Sequence, residues 1–184
     1  MDHGDHVRLI RAGVVGLAGG QWADLGSGTG AFTLALADLL GPGGSIVSVD
    51  RDAEALASQT RLLSARFPST PVRYLHADLL DEPEIGPVDG IVMANALHFI
   101  RERERFLTRL TSWIRPGGRF ILVEYDSDRG NPWVPHPLSW ETWHTTAERT
   151  GFVDTQLMGR VPSRFLGSIY ASLSVAAKAP AETH

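Results

Sequence analysis

A glycine-rich stretch near the N-terminus is the first place in this sequence where residue types and spacing could do chemistry. Residues 23–30 read ADLGSGTG, with glycines at the alternate positions 26, 28 and 30. Glycines let a backbone turn sharply and approach a ligand closely. A helix predicted from Ala31 would point its free N–H groups and positive dipole end at the same place. The stretch therefore predicts a nucleotide-binding loop, although glycines of this kind also serve tight strand–helix packing.

Three acidic residues accompany the loop. Asp24 precedes the glycines, Asp50 ends the next predicted strand, and Asp78 ends the strand after that. Asp50 is placed to accept hydrogen bonds from ribose hydroxyls. A carboxylate that faces a phosphate at ~4 Å would cost about 4 kcal/mol at an effective dielectric constant near 20. The acids therefore favour a ligand that carries a cationic amine over one that carries a pyrophosphate.

Other nucleotide classes fit the spacing less well. The sequence contains no GxxxxGK[ST] motif, which a phosphate-transferring P-loop requires. The glycines follow G-x-G-x-G rather than the G-x-G-x-x-G of dinucleotide enzymes, so Ala31 would have to fill the third site. An NAD(P)-dependent oxidoreductase stays open as an alternative, but its common Tyr/Lys pair would need the single lysine, Lys178. A non-catalytic protein that only binds the nucleotide also stays open.

The loop and its acids need a scaffold, and the alternation of strand-length apolar runs with helical patterns predicts one. Strands are predicted at 21–25, 45–50, 72–78, 88–95, 119–125, 152–161 and 169–178, and helices at 5–18, 31–40, 53–67, 100–114 and 138–150. This alternation predicts an α/β fold with a mainly parallel sheet and helices on both faces. The last two strands are too close for a crossover helix, so one of them is expected to run antiparallel.

Five stretches, in this order and spacing, resemble one enzyme family. They are ADLGSGTG, SVDRD, HADLL, VDGIVMANALHFI and RPGGRFILVEY, which together run from about Gln21 to Tyr125. The set resembles the class I S-adenosylmethionine-dependent methyltransferases. This resemblance implies a three-layer αβα, Rossmann-like fold, with a seven-stranded, mostly parallel sheet whose last strand is antiparallel. It also implies S-adenosyl-L-methionine as the cofactor.

The resemblance assigns the loop and the second strand to the cofactor. Asp24 and the loop backbone would hold the methionine part and the ribose. Asp50 would bind the ribose hydroxyls, and Arg51 would pack over the adenine. For Arg51, a solvated surface residue is the alternative reading.

The next two strand ends complete the implied site. Asp78 would accept a hydrogen bond from the adenine amine beside the Leu79 backbone, while Asn95 and Ala96 would form the floor near the sulfonium. A capping acid and a core residue are the alternatives for Asp78 and Leu79. The cofactor-binding residues that the resemblance implies are Asp24, Gly26, Ser27, Gly28, Gly30, Asp50, Arg51, Asp78, Leu79, Asn95 and Ala96.

Methyl transfer from a sulfonium asks the protein to align a nucleophile, to exclude water and, where needed, to remove a proton. No fixed catalytic triad is therefore expected. His98 comes directly after the fourth strand, and we predict it as a general base because the ordinary pKa of histidine, near 6.5, suits that task. The alternative is a histidine that is satisfied in the core.

The residues after the fourth and fifth strands predict the acceptor side of the site. MANALHF lacks the Asn/Asp-Pro-Pro-Tyr/Phe quartet of the resembling enzymes that methylate amide or base nitrogens, which favours a small-molecule acceptor. Trp133 and His136 are expected to line its site, since aromatic side chains beside a few polar groups suit such a ligand. Asp126 and Asp128 lack the rest of a metal-binding set, so no metal is expected.

Composition limits the remaining function classes. We expect one domain over residues 1–184, divided into an N-terminal helix (1–20), a cofactor-binding part (21–125) and a substrate-side segment with the C-terminal strand pair (126–178). The net charge of −4 argues against a nucleic-acid partner, and the absence of cysteine excludes thiolate chemistry. The N-terminus lacks signal and membrane-span features, so we expect a cytoplasmic protein without membrane contact. The small size predicts an acceptor pocket that is shallow or is completed in a homodimer.

Overall fold

The structure, a computed structural model, describes residues 1–17 and 19–177. Two predicted element ends, Ala18 and Lys178, lie outside these described residues. The helices are α1 (His3–Val14), α2 (Ala31–Leu40), α3 (Ala53–Arg66), α4 (Arg103–Leu110) and α5 (Trp140–Arg149), with 3-10 turns at Leu79–Asp81, Leu97–Phe99 and Thr111–Trp113. Over the described ranges, no helix combines the length and apolar character needed to cross a membrane.

Seven strands form one sheet in the order β3-β2-β1-β4-β5-β7-β6. The strands are β1 (Gln21–Leu25), β2 (Ser45–Asp50), β3 (Val72–His76), β4 (Val88–Ala94), β5 (Ile114–Tyr125), β6 (Phe152–Pro162) and β7 (Ser168–Ala176). The pairs from β3 to β5 are all parallel. β7 is antiparallel to both β5 and β6, because the short connection at 163–167 can only form a hairpin. The predicted α/β fold, with seven strands and an antiparallel last strand, is confirmed.

Two apolar layers enclose the sheet. On one face, side chains of α1, α2 and α3 pack against the strands in a cluster that includes Ile10, Leu36 and Leu63. On the other face, α4 and α5 pack through Phe106 and Trp143. The sheet is thus covered on both sides, which leaves its carboxyl edge as the place where loops can form a site.

The predicted helix at 100–114 is shorter in the structure, and the RPGG stretch at 115–118 belongs to β5 instead of ending a helix. Ile114 already pairs with Val88 on β4. The Arg115 guanidinium donates to the Asp89 carboxylate at 2.8 Å. These long-range contacts hold the stretch in extended form, and the register shift between Val88 and Gly90 absorbs the extra residues.

The aromatic contacts of Phe120 in the α5 layer generate a stability prediction. Its ring is buried, stacks on Phe152 at a centroid distance of 5.1 Å and meets Trp143 edge-on at 5.6 Å. Phe120→Ala is therefore expected to lower the free energy of unfolding by about 3–5 kcal/mol. Denaturant titration measures this change. Phe165→Ala, at an exposed ring, is the control and should stay within about 0.5 kcal/mol of wild type; equal losses would contradict the assignment of Phe120 to the core.

Candidate functional site

An open cavity of about 330 Å³ lies at the carboxyl edge of the sheet. Strand order reverses at β1, because β2 lies on one side of it and β4 on the other. Such switch points are where open α/β sheets bind ligands, and the volume is in the range of small-ligand sites. The lining residues come after β1 to β4 and are Gly26, Gly28, Asp50, Arg51, Ala77, Asp78, Leu79, Leu80, Asn95, Ala96, Phe99 and Ile100.

The three loop glycines have different roles. A Cβ at Gly26 would lie 2.5 Å from the Ala96 Cβ, and one at Gly30 would lie 2.3 Å from Gln59 Cγ. These two glycines therefore allow close packing within the protein. Gly28 also has a positive φ, of 53°, but a Cβ there would meet no atom within 4 Å. The open space beside Gly28 belongs to the cavity, so this glycine keeps the backbone accessible to a ligand.

Polar contacts hold the loop in place from β2 and α3. The N–H groups of Gly26 and Ser27 both donate to the Val49 carbonyl, at 2.9 and 3.1 Å. The Gln59 amide donates to Ser27 Oγ and to the Gly28 carbonyl, each at 3.1 Å. The Ser48 hydroxyl lies 2.7 Å from both Ser27 Oγ and Gln59 Oε1. Ser27 thus supports the loop from behind and does not line the cavity.

Gln59 is a supporting residue that the sequence prediction missed. It is fully buried on α3, between the buried residues Leu56 and Leu63. The sequence could have indicated this role, because Gln59 lies on the apolar side of a predicted helix. Buried polar side chains are almost always hydrogen-bonded. Its partners in the glycine loop lie 31 and 32 positions away along the chain, so the sequence could not identify them.

Asp50 presents its carboxylate to the cavity in a fixed orientation. Oδ2 accepts from the Gly28 N–H at 2.6 Å, and Oδ1 accepts from the Asp52 N–H at 2.9 Å. Each oxygen has a further lone pair for a ligand. The loop and the acid are thereby joined, as the sequence predicted when it placed both at one edge of the sheet.

The residues after β3 line the cavity. Asp78 Oδ1 caps the 3-10 turn by accepting from the Leu80 N–H at 2.9 Å, so Asp78 is both a capping acid and a lining residue. Leu79 is half-buried in the wall. Arg51 is exposed, and its carbonyl lies 3.0 Å from His76 Nε2. These contacts shape one side of the cavity.

Asn95, at the end of β4, is held in an uncommon backbone conformation. Its φ is +50°, and its N–H donates to the Val123 carbonyl of β5 at 2.8 Å. The side-chain Oδ1 is buried and has no hydrogen-bond partner among the described residues. An unpaired buried acceptor costs free energy. Asn95 and the adjacent Ala96 form one wall of the cavity.

Asp24 lies behind the glycine loop and is not part of the cavity wall. It is 1% exposed, and its Oδ2 accepts from the Thr33 hydroxyl of α2 at 2.6 Å. The pKa of its carboxyl is raised to about 7, mainly by burial; the Thr33 hydrogen bonds oppose the increase, and the Asp50 carboxylate adds to it. A buried carboxyl of this kind favours a cation nearby.

His98 is buried below the cavity. Its Nδ1 lies 2.9 Å from Oε1 and 3.0 Å from Oε2 of Glu124, a fully buried acid near the end of β5. His98 itself is 3% exposed and does not line the cavity, although Ala96, Phe99 and Ile100 around it do. Sequence reasoning found the histidine but missed Glu124, which lies within an apolar strand.

The predicted acceptor residues lie on the segment 126–139, which leaves the same edge of the sheet. Trp133 is 74% exposed, and its backbone N–H donates to the Asn131 side-chain oxygen at 2.9 Å. The His136 side chain is exposed, and its N–H donates to the His98 carbonyl at 3.0 Å. Neither side chain lines the cavity. Asp126 and Asp128 accept instead from the N–H groups of Trp140 and Ser139 at the start of α5.

Comparisons with known proteins agree with this geometry. The family model described as "Methyltransferase domain" matches residues 23–120. An uncharacterized methyltransferase of Mycobacterium tuberculosis is 34% identical over 121 residues, which cover 64% of this chain and 56% of the relative. The chain spans about half the length of the curated relatives it matches.

Solved structures share the fold. The YcgJ protein of Bacillus subtilis has a TM-score of 0.78 at 12% identity, over 96% of this chain and 100% of that one. The N-terminal domain of EvdMO1 with SAH bound has a TM-score of 0.72 at 20% identity, over 96% of this chain and 82% of that one. Seven strands in this order, with the antiparallel pair at the end, are thus an architecture these proteins have in common.

The raised pKa of Asp24 predicts a pH-dependent stability. The folded state binds this proton more tightly than the unfolded state, where the pKa is near 3.8. The Asp24 carboxyl therefore destabilises the fold increasingly as the pH rises from about 4 to about 7, by up to about 4 kcal/mol. Asp24→Asn should have a higher free energy of unfolding than wild type at about pH 8. The free energies of unfolding of the two proteins should converge toward about pH 4. Denaturant titrations across this range measure the difference.

The matched control is Asp154→Asn, an exposed acid in a left-handed conformation that asparagine also tolerates. Its stability difference from wild type should not vary over the same range. A constant difference for Asp24→Asn as well would show that Asp24 ionises in the folded protein as it does in the unfolded chain.

Proposed function

This chain belongs to the class I S-adenosylmethionine-dependent methyltransferases, whose domain model matches residues 23–120, and we propose that it transfers a methyl group to a small-molecule acceptor. The observation that carries the proposal is the cavity that the glycine loop, Asp50, Asp78 and Asn95 line together. Its wall contains the carboxylates of Asp50 and Asp78, which suit a nucleoside that bears hydroxyl and amine donors.

Three features of the chain fit S-adenosylmethionine. The space beside Gly28 is open, so a ligand can contact the loop backbone. The acids Asp50 and Asp78 line the cavity, and the buried Asp24 carboxyl favours a nearby cation. When bound, S-adenosylmethionine supplies a methyl group that its positive sulfur has already activated. Asp50 would bind the ribose hydroxyls, and Asp78 would accept from the adenine amine through Oδ2, since Oδ1 caps Leu80.

The same charges oppose a dinucleotide. Asp24 and Asp50 are close enough to raise the pKa of the Asp24 carboxyl. Neither carboxylate has a salt-bridge partner among the described residues. A pyrophosphate on this loop would add negative charge to an acidic site, at about 4 kcal/mol for each contact near 4 Å. This repulsion favours the methyltransferase over the NAD(P)-dependent alternative.

The acceptor is proposed to lie beyond the cavity floor, toward β5. Phe99 lines the cavity and is 55% exposed, and Trp133 is exposed on the neighbouring segment. Aromatic side chains at an open mouth favour a small, partly apolar molecule that can stack on them. His136 adds a polar group beside them. That a second copy of the chain completes this pocket stays a prediction.

Calorimetry tests the donor. Wild type should bind S-adenosylmethionine and S-adenosylhomocysteine and should not bind NADH. Asp50→Asn should lower the affinity for both adenosine ligands by about tenfold or more, because it removes charge-assisted hydrogen bonds worth roughly 1.5–3 kcal/mol each. The control is Asp154→Asn, which makes the same chemical change at an exposed acid far from the cavity.

Three results would contradict the proposal. Binding of NADH without S-adenosylmethionine would favour the oxidoreductase, and binding of none of the three would remove both enzyme functions. Binding of S-adenosylmethionine with no methylation of any acceptor in a broad metabolite panel would favour a non-catalytic binding protein. Mass spectrometry of the panel detects the 14-Da gain of a methyl group on the acceptor.

A further inference from the structure

One peptide group in the wall of the cavity is held at both of its ends. It joins Leu79 to Leu80, and both residues line the cavity. The Leu79 carbonyl accepts from the Arg109 guanidinium at 2.9 Å, and the Leu80 N–H donates to Asp78 Oδ1 at 2.9 Å. The C=O and N–H of a planar trans peptide point in opposite directions. Arg109 and Asp78 therefore bind the same rigid group from its two sides.

Arg109 reaches this wall from outside the cavity. It lies in the last turn of α4 and lines a separate surface groove that Glu82 and Trp113 also line. The centre of its guanidinium lies 5.7 Å from the ring centroids of both Phe106 and Trp113. Contacts of a guanidinium with aromatic faces are attractive and restrict where its N–H groups point. The side chain is thus oriented by its own helix before it meets the turn.

The guanidinium of Arg109 contacts both ends of the 3-10 turn at Leu79–Asp81. Besides the Leu79 carbonyl, it donates to the Glu82 carboxylate at 2.7 Å, directly after the turn. The Glu82 side chain is 68% exposed, and exposed ion pairs contribute little to stability. The hydrogen bond to the Leu79 carbonyl is therefore the contact through which Arg109 acts on the cavity wall.

Asp78 is oriented by the other end of the same peptide group. The Leu80 N–H occupies Oδ1, which leaves Oδ2 as the oxygen that accepts from a ligand. A short acidic side chain that binds the N–H two residues further on cannot rotate without breaking this bond. The direction of Oδ2 therefore depends on the orientation of the Leu79–Leu80 peptide, which Arg109 fixes.

Asp52 shows why the turn after Asp78 needs an external restraint. Asp52 Oδ1 accepts from the Glu54 N–H at 2.9 Å, also two residues further on, at the start of the 14-residue helix α3. The backbone hydrogen bonds of that helix hold the peptide in place. The turn after Asp78 has only three residues, and short 3-10 turns have few hydrogen bonds of poorer geometry. The donor on Arg109 supplies the restraint that a longer helix would provide.

A second arginine binds the later part of the same connection between β3 and β4. Arg73 donates to the carbonyls of Glu84 and Ile85, at 3.0 and 3.1 Å. Neither of these two residues lines the cavity. If the arginines only anchored the connection, the loss of Arg73 and the loss of Arg109 would affect a ligand equally. The chain thus contains its own comparison, with one arginine on the wall peptide and one elsewhere on the same connection.

We propose that Arg109 is a positioning residue for base recognition, because it fixes the Leu79–Leu80 peptide and thereby aims Asp78 Oδ2 at the amine of adenine. This inference rests on the proposed function, which places adenine beside Asp78. A carboxylate accepts a hydrogen bond from the adenine amine, whereas the carbonyl oxygen of hypoxanthine at that position is a second acceptor and is repelled. The restraint makes this difference large, since a fixed carboxylate cannot turn away from the wrong base.

Calorimetry with S-adenosylhomocysteine and S-inosylhomocysteine tests the proposal, because the second ligand carries hypoxanthine in place of adenine. Wild type should bind the adenine ligand about ten- to a hundredfold more tightly, the range for one hydrogen bond to a charged group. Arg109→Met keeps an unbranched side chain against the aromatic rings but has no donor. It should reduce this affinity ratio to less than about threefold, because the released carboxylate turns away from the base.

Three further variants separate base recognition from loop anchoring. Arg73→Met should keep the wild-type ratio, since its contacts lie outside the wall peptide. Glu82→Gln should also keep it, because Arg109 still binds the Leu79 carbonyl. Arg109→Gln, whose side chain is shorter, should give the same low ratio as Arg109→Met, and denaturant titration verifies that each protein is folded.

Amide hydrogen exchange tests the wall peptide without any ligand, by NMR of the ¹⁵N-labelled protein. The Leu80 N–H should exchange at least about fivefold faster in Arg109→Met than in wild type, because its bond to Asp78 then opens more often. The Glu54 N–H, which Asp52 binds in the same way, is the control and should exchange at the same rate in both proteins.

Each result decides between the roles. An unchanged affinity ratio in the Arg109 variants, or a wild type that binds both ligands equally, would overturn the proposal. An equal fall of the ratio in Arg73→Met would show that both arginines only anchor the connection. Unchanged exchange of the Leu80 N–H would show that the peptide needs no restraint from Arg109. Failure of the proposed function has a different signature, because wild type would then bind neither ligand.

Discussion

The hydrogen bond between the Gly28 N–H and the Asp50 carboxylate, at 2.6 Å, joins the two strands that define this site. It holds the loop after β1 against the acid that ends β2. Ser27, Ser48 and Gln59 lock the same loop from behind, within the interior. Because backbone and carboxylate are preorganised, a ligand meets a cavity of fixed shape and does not have to order a flexible glycine loop.

Charge then selects what this cavity can hold. Asp24 and Asp50 lie near each other without a protein cation among the described residues, and burial makes the proton on Asp24 hard to remove. A cation beside the loop relieves this repulsion, whereas an added anion increases it. The family's methyl donor carries positive charge at its amine and its sulfur, so the acidic floor and the donor are electrostatically complementary.

A second buried acid, Glu124, lies on β5 and is also stabilised by hydrogen bonds. Glu124 is held by three N–H groups, one of which belongs to the His98 ring. Asp24 on β1 and Glu124 on β5 lie on either side of β4, whose end contributes Asn95 and its unpaired oxygen. The central strands thus carry two buried carboxyl groups, Asp24 hydrogen-bonded to Thr33 and Glu124 hydrogen-bonded to the His98 ring.

Local patterns in the sequence were enough to establish the fold class, the glycine loop and the acids at positions 24, 50 and 78, because short periodic patterns fix which strand end each of them accompanies. They could not show that Gly26 and Gly30 allow close packing while Gly28 borders open space, since this depends on Ala96 and Gln59 far along the chain. They predicted Trp133 and His136 as acceptor-site residues, and neither side chain lines the cavity. The pairing of His98 with Glu124 came from the folded chain alone, because contacts across 26 residues depend on strand order and register, which no local pattern encodes.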